Sequence, residues 1–124
     1  MIWLWIALAG GVGAAARFVV DALVTAHVVG PTRDRVPLGS VTVNLTGSLL
    51  AGVVAATATG GWLHDDVRTI VAGGFLGAYT TFSTAMYEAT WLLERGERTT
   101  AVAHLLLTMV GSITAAVLGF RLVG

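Results

Sequence analysis

Gly73-Gly74-Phe75-Leu76-Gly77-Ala78-Tyr79-Thr80-Thr81-Phe82-Ser83-Thr84 sits in the middle of an apolar run long enough to cross a bilayer. Three glycines within five residues weaken a helix there, because glycine gives up the most backbone freedom on ordering. The hydroxyl-rich half that follows supplies donors and acceptors in place of apolar surface. In hydrocarbon, open backbone is tolerated only where protein buries it or where it lines a polar cavity. The segment therefore reads as the working centre of an ion or solute pathway, carried on a helix that breaks.

The remaining composition agrees with a membrane setting. Of 124 residues, 56% are hydrophobic and 11% charged, with mean hydropathy +0.83. Soluble domains carry about a quarter charged residues. One domain is expected at this length. Without cysteine there is neither a disulfide nor a thiolate metal site. Net charge is zero and no basic run occurs, which argues against nucleic acid as a partner. Met1-Ile2-Trp3-Leu4-Trp5 has no basic flank, and the apolar run continues to Arg17, so it reads as a first span rather than a cleaved signal.

Charges divide the chain into four apolar spans, about 2–25, 38–60, 67–93 and 99–121, each long enough for a crossing of about 20 residues. Short polar turns join them, so neighbouring helices are expected antiparallel, with no segment left for a soluble domain. Orientation is weakly coded. Arg33, Arg35, Arg95 and Arg98 fall on one side, Arg68 and Arg121 on the other. That shallow bias fits a single orientation or insertion both ways, the latter giving an antiparallel dimer. Small residues recur at four-residue spacing in Ser48, Gly52 and Ala56 and in Gly111, Ala115 and Gly119, as in closely packed membrane helices. Four short spans enclose a pathway poorly, so an oligomer is expected.

Polar residues at membrane depth need a partner or a cavity. Asn44 lies mid-span and reads either as a clamp between helices or as part of a lined path. Ser40, Asn44 and Ser48 share one helical face, which favours the path. The sequon Asn44-Leu45-Thr46 is discarded, since a glycosylation acceptor belongs in an exposed loop. His104, Thr108 and Ser112 form a second polar stripe at the same spacing and are expected to face a pore. Arg17 and Asp21 are expected to form a local i, i+4 salt bridge with a snorkelling arginine. Glu88 needs a partner. Gly11-Val12-Gly13-Ala14-Ala15-Ala16 resembles a dinucleotide fingerprint, but no βαβ unit surrounds it, so tight helix packing explains it better. Ser83 has no histidine in register, and His27, His64 and His104 lie on different elements. No enzyme is expected.

Gly10-Gly11-Val12-Gly13-Ala14-Ala15-Ala16-Arg17, the stretch Gly39-Ser40-Val41-Thr42-Val43-Asn44-Leu45-Thr46-Gly47-Ser48, and Gly74 through Thr84 resemble, in order, the three signature blocks of the fluoride channel family, Fluc or CrcB. The last block is the specific one. The resemblance implies an all-α membrane protein of four transmembrane helices, the third helix broken at its centre, in an antiparallel dual-topology dimer. It implies a passive, fluoride-selective channel in the cell membrane, in contact with lipid, that lowers cytoplasmic fluoride toxicity. Backbone carbonyls at positions matching Gly77 and Thr80 would hold a structural sodium ion at the dimer axis. The fluoride pathway would run past Asn44, Phe82, Ser83, Thr84, His104, Thr108 and Ser112, with Arg17 as an electrostatic or structural element near a mouth. Fluoride is small and tightly hydrated, so amide and hydroxyl donors and the positive edge of a phenyl ring are suited to replace its water.

One position departs from the family pattern. A second phenylalanine usually follows the first by three residues, and this chain has Ala85 there. The homodimer therefore competes with a heterodimer containing a related subunit, in which this chain is a non-conducting partner. Filling the gap by Ala85→Phe is expected to raise activity if Tyr79 or Met86 has not taken the space. A small multidrug-type, proton-coupled exchanger is a further alternative. It needs a carboxylate deep in the first span, and only Asp21, near the end of that span, is present.

Overall fold

A computed structural model describes residues 1–29 and 36–124, in which every regular element is helical. The first turn, with Arg33 and Arg35 and their part in the orientation argument, lies outside the described residues. Helix α1, Ile2–Val24, continues as a π-helical turn over Thr25–Val29. Helix α2, Leu38–Thr59, begins after Pro37, whose missing N–H would have gone unbonded at a helix start. Gly61, at φ +70°, reverses the chain with a backbone that side chains rarely allow. Helix α3, Asp65–Arg68, opens with two acidic residues at the positive end of the helix dipole.

From α3 the chain winds through a π-helical segment, Thr69–Leu76, into the short α4, Gly77–Tyr79, where it stops. Thr80 is extended, at φ −77° and ψ 157°. Helix α5, Ser83–Glu94, resumes the run, and Gly96, at φ +77°, turns it into α6, Arg98–Val123.

Three helices among the described residues are long and apolar enough to cross a membrane: Ile2–Val28, Leu38–Thr59 and Arg98–Val123. The stretch expected as a span over about 67–93 is instead divided at residues 80–82. Neither part reaches the roughly 20 residues of a crossing on its own. The break falls where the glycines and hydroxyls foretold it.

Two seams of small residues set the packing. A methyl group on Gly52 would collide with the Ala116 carbonyl oxygen, and one on Gly119 with the Leu49 carbonyl oxygen. Gly111 faces Leu45, where an added methyl would lie 2.6 Å from Cδ2. Both four-residue stripes are thus used between α2 and α6 of one chain, with backbones in near contact. On the other side α1 packs against the π-helical segment and α4. Gly13 meets the Phe75 carbonyl there, and a methyl on Gly74 would lie 2.8 Å from the Ile6 carbonyl oxygen. The glycine block of α1 is therefore a packing surface, as its context implied. Outward faces carry large apolar groups, among them Trp3, Phe18, Tyr87 and Leu122, which suits surroundings of lipid or protein.

Candidate functional site

The break is held open first by the side chain of Asn44. Asn44 Nδ2 donates to the Thr81 carbonyl at 2.8 Å, and Asn44 Oδ1 accepts from the Thr81 N–H at 2.8 Å. A carboxamide has one donor face and one acceptor face, so it pairs with a peptide group as a neighbouring strand would. The exchange also fixes which end of the Asn44 amide is nitrogen. Both residues are buried, and unmade bonds here would cost roughly 1–3 kcal/mol per group. Gly47, one turn along α2, lets the broken chain come close: a methyl there would collide with Thr80 Cγ2 and lie 3.0 Å from Tyr79 Cδ1. Thr46 Oγ1 and the Tyr79 hydroxyl, 2.8 Å apart, add a second tie. The Thr81 hydroxyl accepts the Thr84 N–H at 3.2 Å, the service a capping hydroxyl gives a helix start.

These bonds release carbonyls. In a continuous helix the Gly77 and Thr80 oxygens would accept from the amides of Thr81 and Thr84. Here those amides are taken by Asn44 Oδ1 and the Thr81 hydroxyl. The two oxygens lose their helical donors, and hard carbonyl oxygens of this kind suit a hard cation such as sodium. Two carbonyls fill only part of a coordination shell, so a single chain does not complete such a site. Among the described residues no group of three or more His, Cys, Asp or Glu gathers to hold a metal.

Two cavities flank Thr81. The first, about 320 Å³, is lined by Asn44, Ser48, Phe82, Thr108 and Ser112 with Thr81 itself. Asn44 therefore both clamps the break and walls the cavity. Phe82 is 72% exposed, its ring standing on the outer face of the chain. The Thr108 hydroxyl is buried without a hydrogen-bond partner among the described residues. The second cavity, about 160 Å³, brings Arg17, Asp21, Ser40 and Thr84 to the other side of Thr81. Ser83 is exposed, its Oγ 3.5 Å from the Thr81 hydroxyl.

Several expectations are corrected. Arg17 and Asp21 do not form the local salt bridge; both face the second cavity, and Asp21 Oδ1 accepts from the Thr25 hydroxyl at 3.5 Å. A methyl on Gly39 would collide with the Asp21 carboxylate, so that residue is pressed against α2. The stripe of α6 is not continuous along one cavity. Thr108 and Ser112 face the first cavity, while His104 turns toward α5 and bonds the Ala85 carbonyl at 3.1 Å. Glu88 finds its partners in the Ser40 hydroxyl and in His104 Nε2 at 3.4 Å. Ala85 has no exposed surface. Its position is closed inside the chain rather than open beside Phe82, so Ala85→Phe is expected to overpack the α5–α6 contact instead of restoring a ring.

Thr81 is the residue that sequence reasoning passed over. It lies in the quoted hydroxyl run, but nothing in the run distinguishes the one amide that Asn44 captures.

A profile of the family described as "CrcB-like protein, Camphor Resistance (CrcB)" matches residues 4–120. A protein of Bifidobacterium longum named Fluoride-specific ion channel FluC 3 is 39% identical over 115 residues, covering 93% of this chain and 92% of its own length. Fluoride-specific ion channel FluC 1 of Leifsonia xyli subsp. xyli is 42% identical over 132 aligned positions, covering 100% of this chain and 88% of its own. Fluoride-specific ion channel FluC 2 of Mycobacterium bovis is 38% identical over 118 residues, covering 95% and 87%.

Proposed function

The chain belongs to the CrcB-like family, and from that premise we propose that it is a fluoride-selective channel of the cell membrane. Fluoride crosses passively and outward, lowering its concentration in the cytoplasm. The observation that carries the reading is the exchange of hydrogen bonds between Asn44 and Thr81, with a polar cavity beside it. That exchange keeps a helix open where an anion needs donors. The second Nδ2 hydrogen of Asn44 and the hydroxyls of Thr108 and Ser112 supply them, and Phe82 adds a positive ring edge. Arg17 at the second cavity contributes favourable potential toward an anion.

The conducting unit is a dimer of four-crossing subunits in opposite orientations, both halves of the third stretch together making one crossing. Two observations support it: the amides that would bond the Gly77 and Thr80 carbonyls in a continuous helix are taken by side chains, and the broken helix leaves Gly77, Phe82 and Ser83 exposed. Gly77 and Thr80 of two copies would together hold a structural sodium ion, which supplies positive potential near the paths when bound. Ala85 keeps one competing reading alive, in which this chain is the non-conducting partner of a related subunit. A proton-coupled exchanger fits less well, because the one carboxylate of α1, Asp21, is packed against α2 and bonded by Thr25.

Proteoliposomes containing only this chain, loaded with fluoride and chloride, test the proposal. Fluoride should leave without any proton or sodium gradient while chloride stays. Release that requires an imposed proton gradient would establish an exchanger. Release only after a second, related chain is added would establish the partner reading.

A further inference from the structure

Helix α1 brings two opposite charges to one cavity and keeps them apart. Arg17 and Asp21 have the spacing of a helical ion pair, yet neither makes an ion pair among the described residues. Both are half-buried, and both line the cavity of about 160 Å³ beside Thr81 and Thr84. Asp21 is placed by other contacts. Its Oδ1 accepts the Thr25 hydroxyl at 3.5 Å and occupies the space that a methyl on Gly39 would need. Helix α2 thus makes room for the carboxylate by having no side chain there. A hydrogen bond of that length answers little of a negative charge.

Glu88 shows what a compensated carboxylate looks like in the same chain. Its Oε2 accepts the Ser40 hydroxyl and lies 3.4 Å from His104 Nε2, so it has partners on two other helices. Asp21 has one long bond to a hydroxyl of its own helix. Because Arg17 and Asp21 are not joined, each acts separately on an ion in the cavity they share. An anion beside Thr84 is drawn by the guanidinium and repelled by the carboxylate. Thr81 borders both cavities, so an anion passing from one to the other crosses the field of both charges.

We propose that Asp21 sets the rate of fluoride passage by opposing Arg17 at the second cavity. The carboxylate raises the barrier to an anion there, and the chain conducts below the rate that its donors and its arginine alone would give. Asp21 acts through space and is not a ligand of the ion. This rests on the fluoride-channel reading and adds to it a residue that limits the rate.

Removing the charge while keeping the shape tests the proposal. Asp21→Asn keeps an acceptor for Thr25 and nearly the same volume against Gly39, so assembly and melting temperature should match the wild type. Fluoride release is measured from vesicles holding equal amounts of either full chain, in an impermeant potassium salt. At about 10 mM ionic strength the variant should conduct about two- to fivefold faster than the wild type. At about 1 M, where the screening length falls to about 3 Å, that excess should shrink by at least about half. If Asp21→Asn does not assemble, Asp21→Ser, smaller and still bearing an oxygen, carries the same expectation. Equal or slower release at low ionic strength overturns the proposal. So does an excess that salt leaves unchanged, since the effect would then be steric. In each of those cases the wild type conducts and the channel reading stands. Absence of release from both chains, correctly assembled, removes the channel reading of the lone chain and this proposal with it.

Discussion

The seam between α2 and α6 and the break between α4 and α5 both bring backbones together on the same helix α2, by opposite means. At the seam, Gly52 and Gly119 let carbonyls approach where no side chain fits, and shape alone closes the contact. At the break, backbone groups are exposed and then satisfied one at a time by Asn44 and the Thr81 hydroxyl. Steric closure leaves nothing available to a ligand. Hydrogen-bonded closure leaves carbonyls and hydroxyls spare, and that is where chemistry can occur. The difference gives one region to packing and leaves the other as the place the proposed function assigns to transport.

Leucine at the seam should break the comparison from the structural side. In Gly52→Leu the side chain has no space against the Ala116 carbonyl, and backbone cannot give way as a side-chain tip can. Overpacking typically costs about 1–3 kcal/mol, and a backbone collision belongs at or above the upper end. Extraction in mild detergent followed by size-exclusion chromatography should show loss of monodisperse protein. Normal yield and elution would mean that the seam is looser than described.

Asn44→Ala should separate the regions. It leaves the N–H and carbonyl of Thr81 without partners, at roughly 1–3 kcal/mol for each buried group. The variant should still assemble, melt at lower temperature and lose fluoride flux. Asn44→Asp keeps an acceptor for the Thr81 N–H but sets a carboxylate against the Thr81 carbonyl and any anion in the cavity, so flux should also be lost. Thermal unfolding and vesicle efflux on the same preparation would read both quantities. Normal flux in Asn44→Asp would remove the residue from the path.

Thr108→Val should sharpen the comparison with the smallest structural effect. The hydroxyl has no protein partner, so its replacement by a methyl of similar shape should leave the melting temperature unchanged or slightly higher. Flux should nonetheless fall several-fold if that hydroxyl serves the passing anion. Unchanged flux would make Thr108 a packing residue.

How much of this was legible in the sequence follows the same division. The break was readable because three glycines and a hydroxyl run at membrane depth have no other use, and the α2–α6 seam was readable from four-residue spacing of small side chains. Which carbonyls the break releases was not readable from residue types alone, since it depends on Thr81 and Thr84 amides being captured by particular side chains. The resemblance to a family named Gly77 and Thr80, and the geometry supplies a physical reason for that pair. The continuous stripe through His104 and the Arg17–Asp21 salt bridge were misread for one reason: spacing places residues on a helical face but does not say which neighbour that face meets. The Arg17–Asp21 pair had the right spacing, yet α2 at Gly39 draws the carboxylate away.

The central claim is that this chain conducts fluoride passively and selectively. Reversal potential in a planar bilayer containing only this chain tests it most directly, with a fluoride gradient across the membrane and equal chloride on both sides. The account predicts current that reverses at the equilibrium potential of fluoride. Current reversing at that of chloride, or no current in the presence of correctly assembled protein, would contradict it.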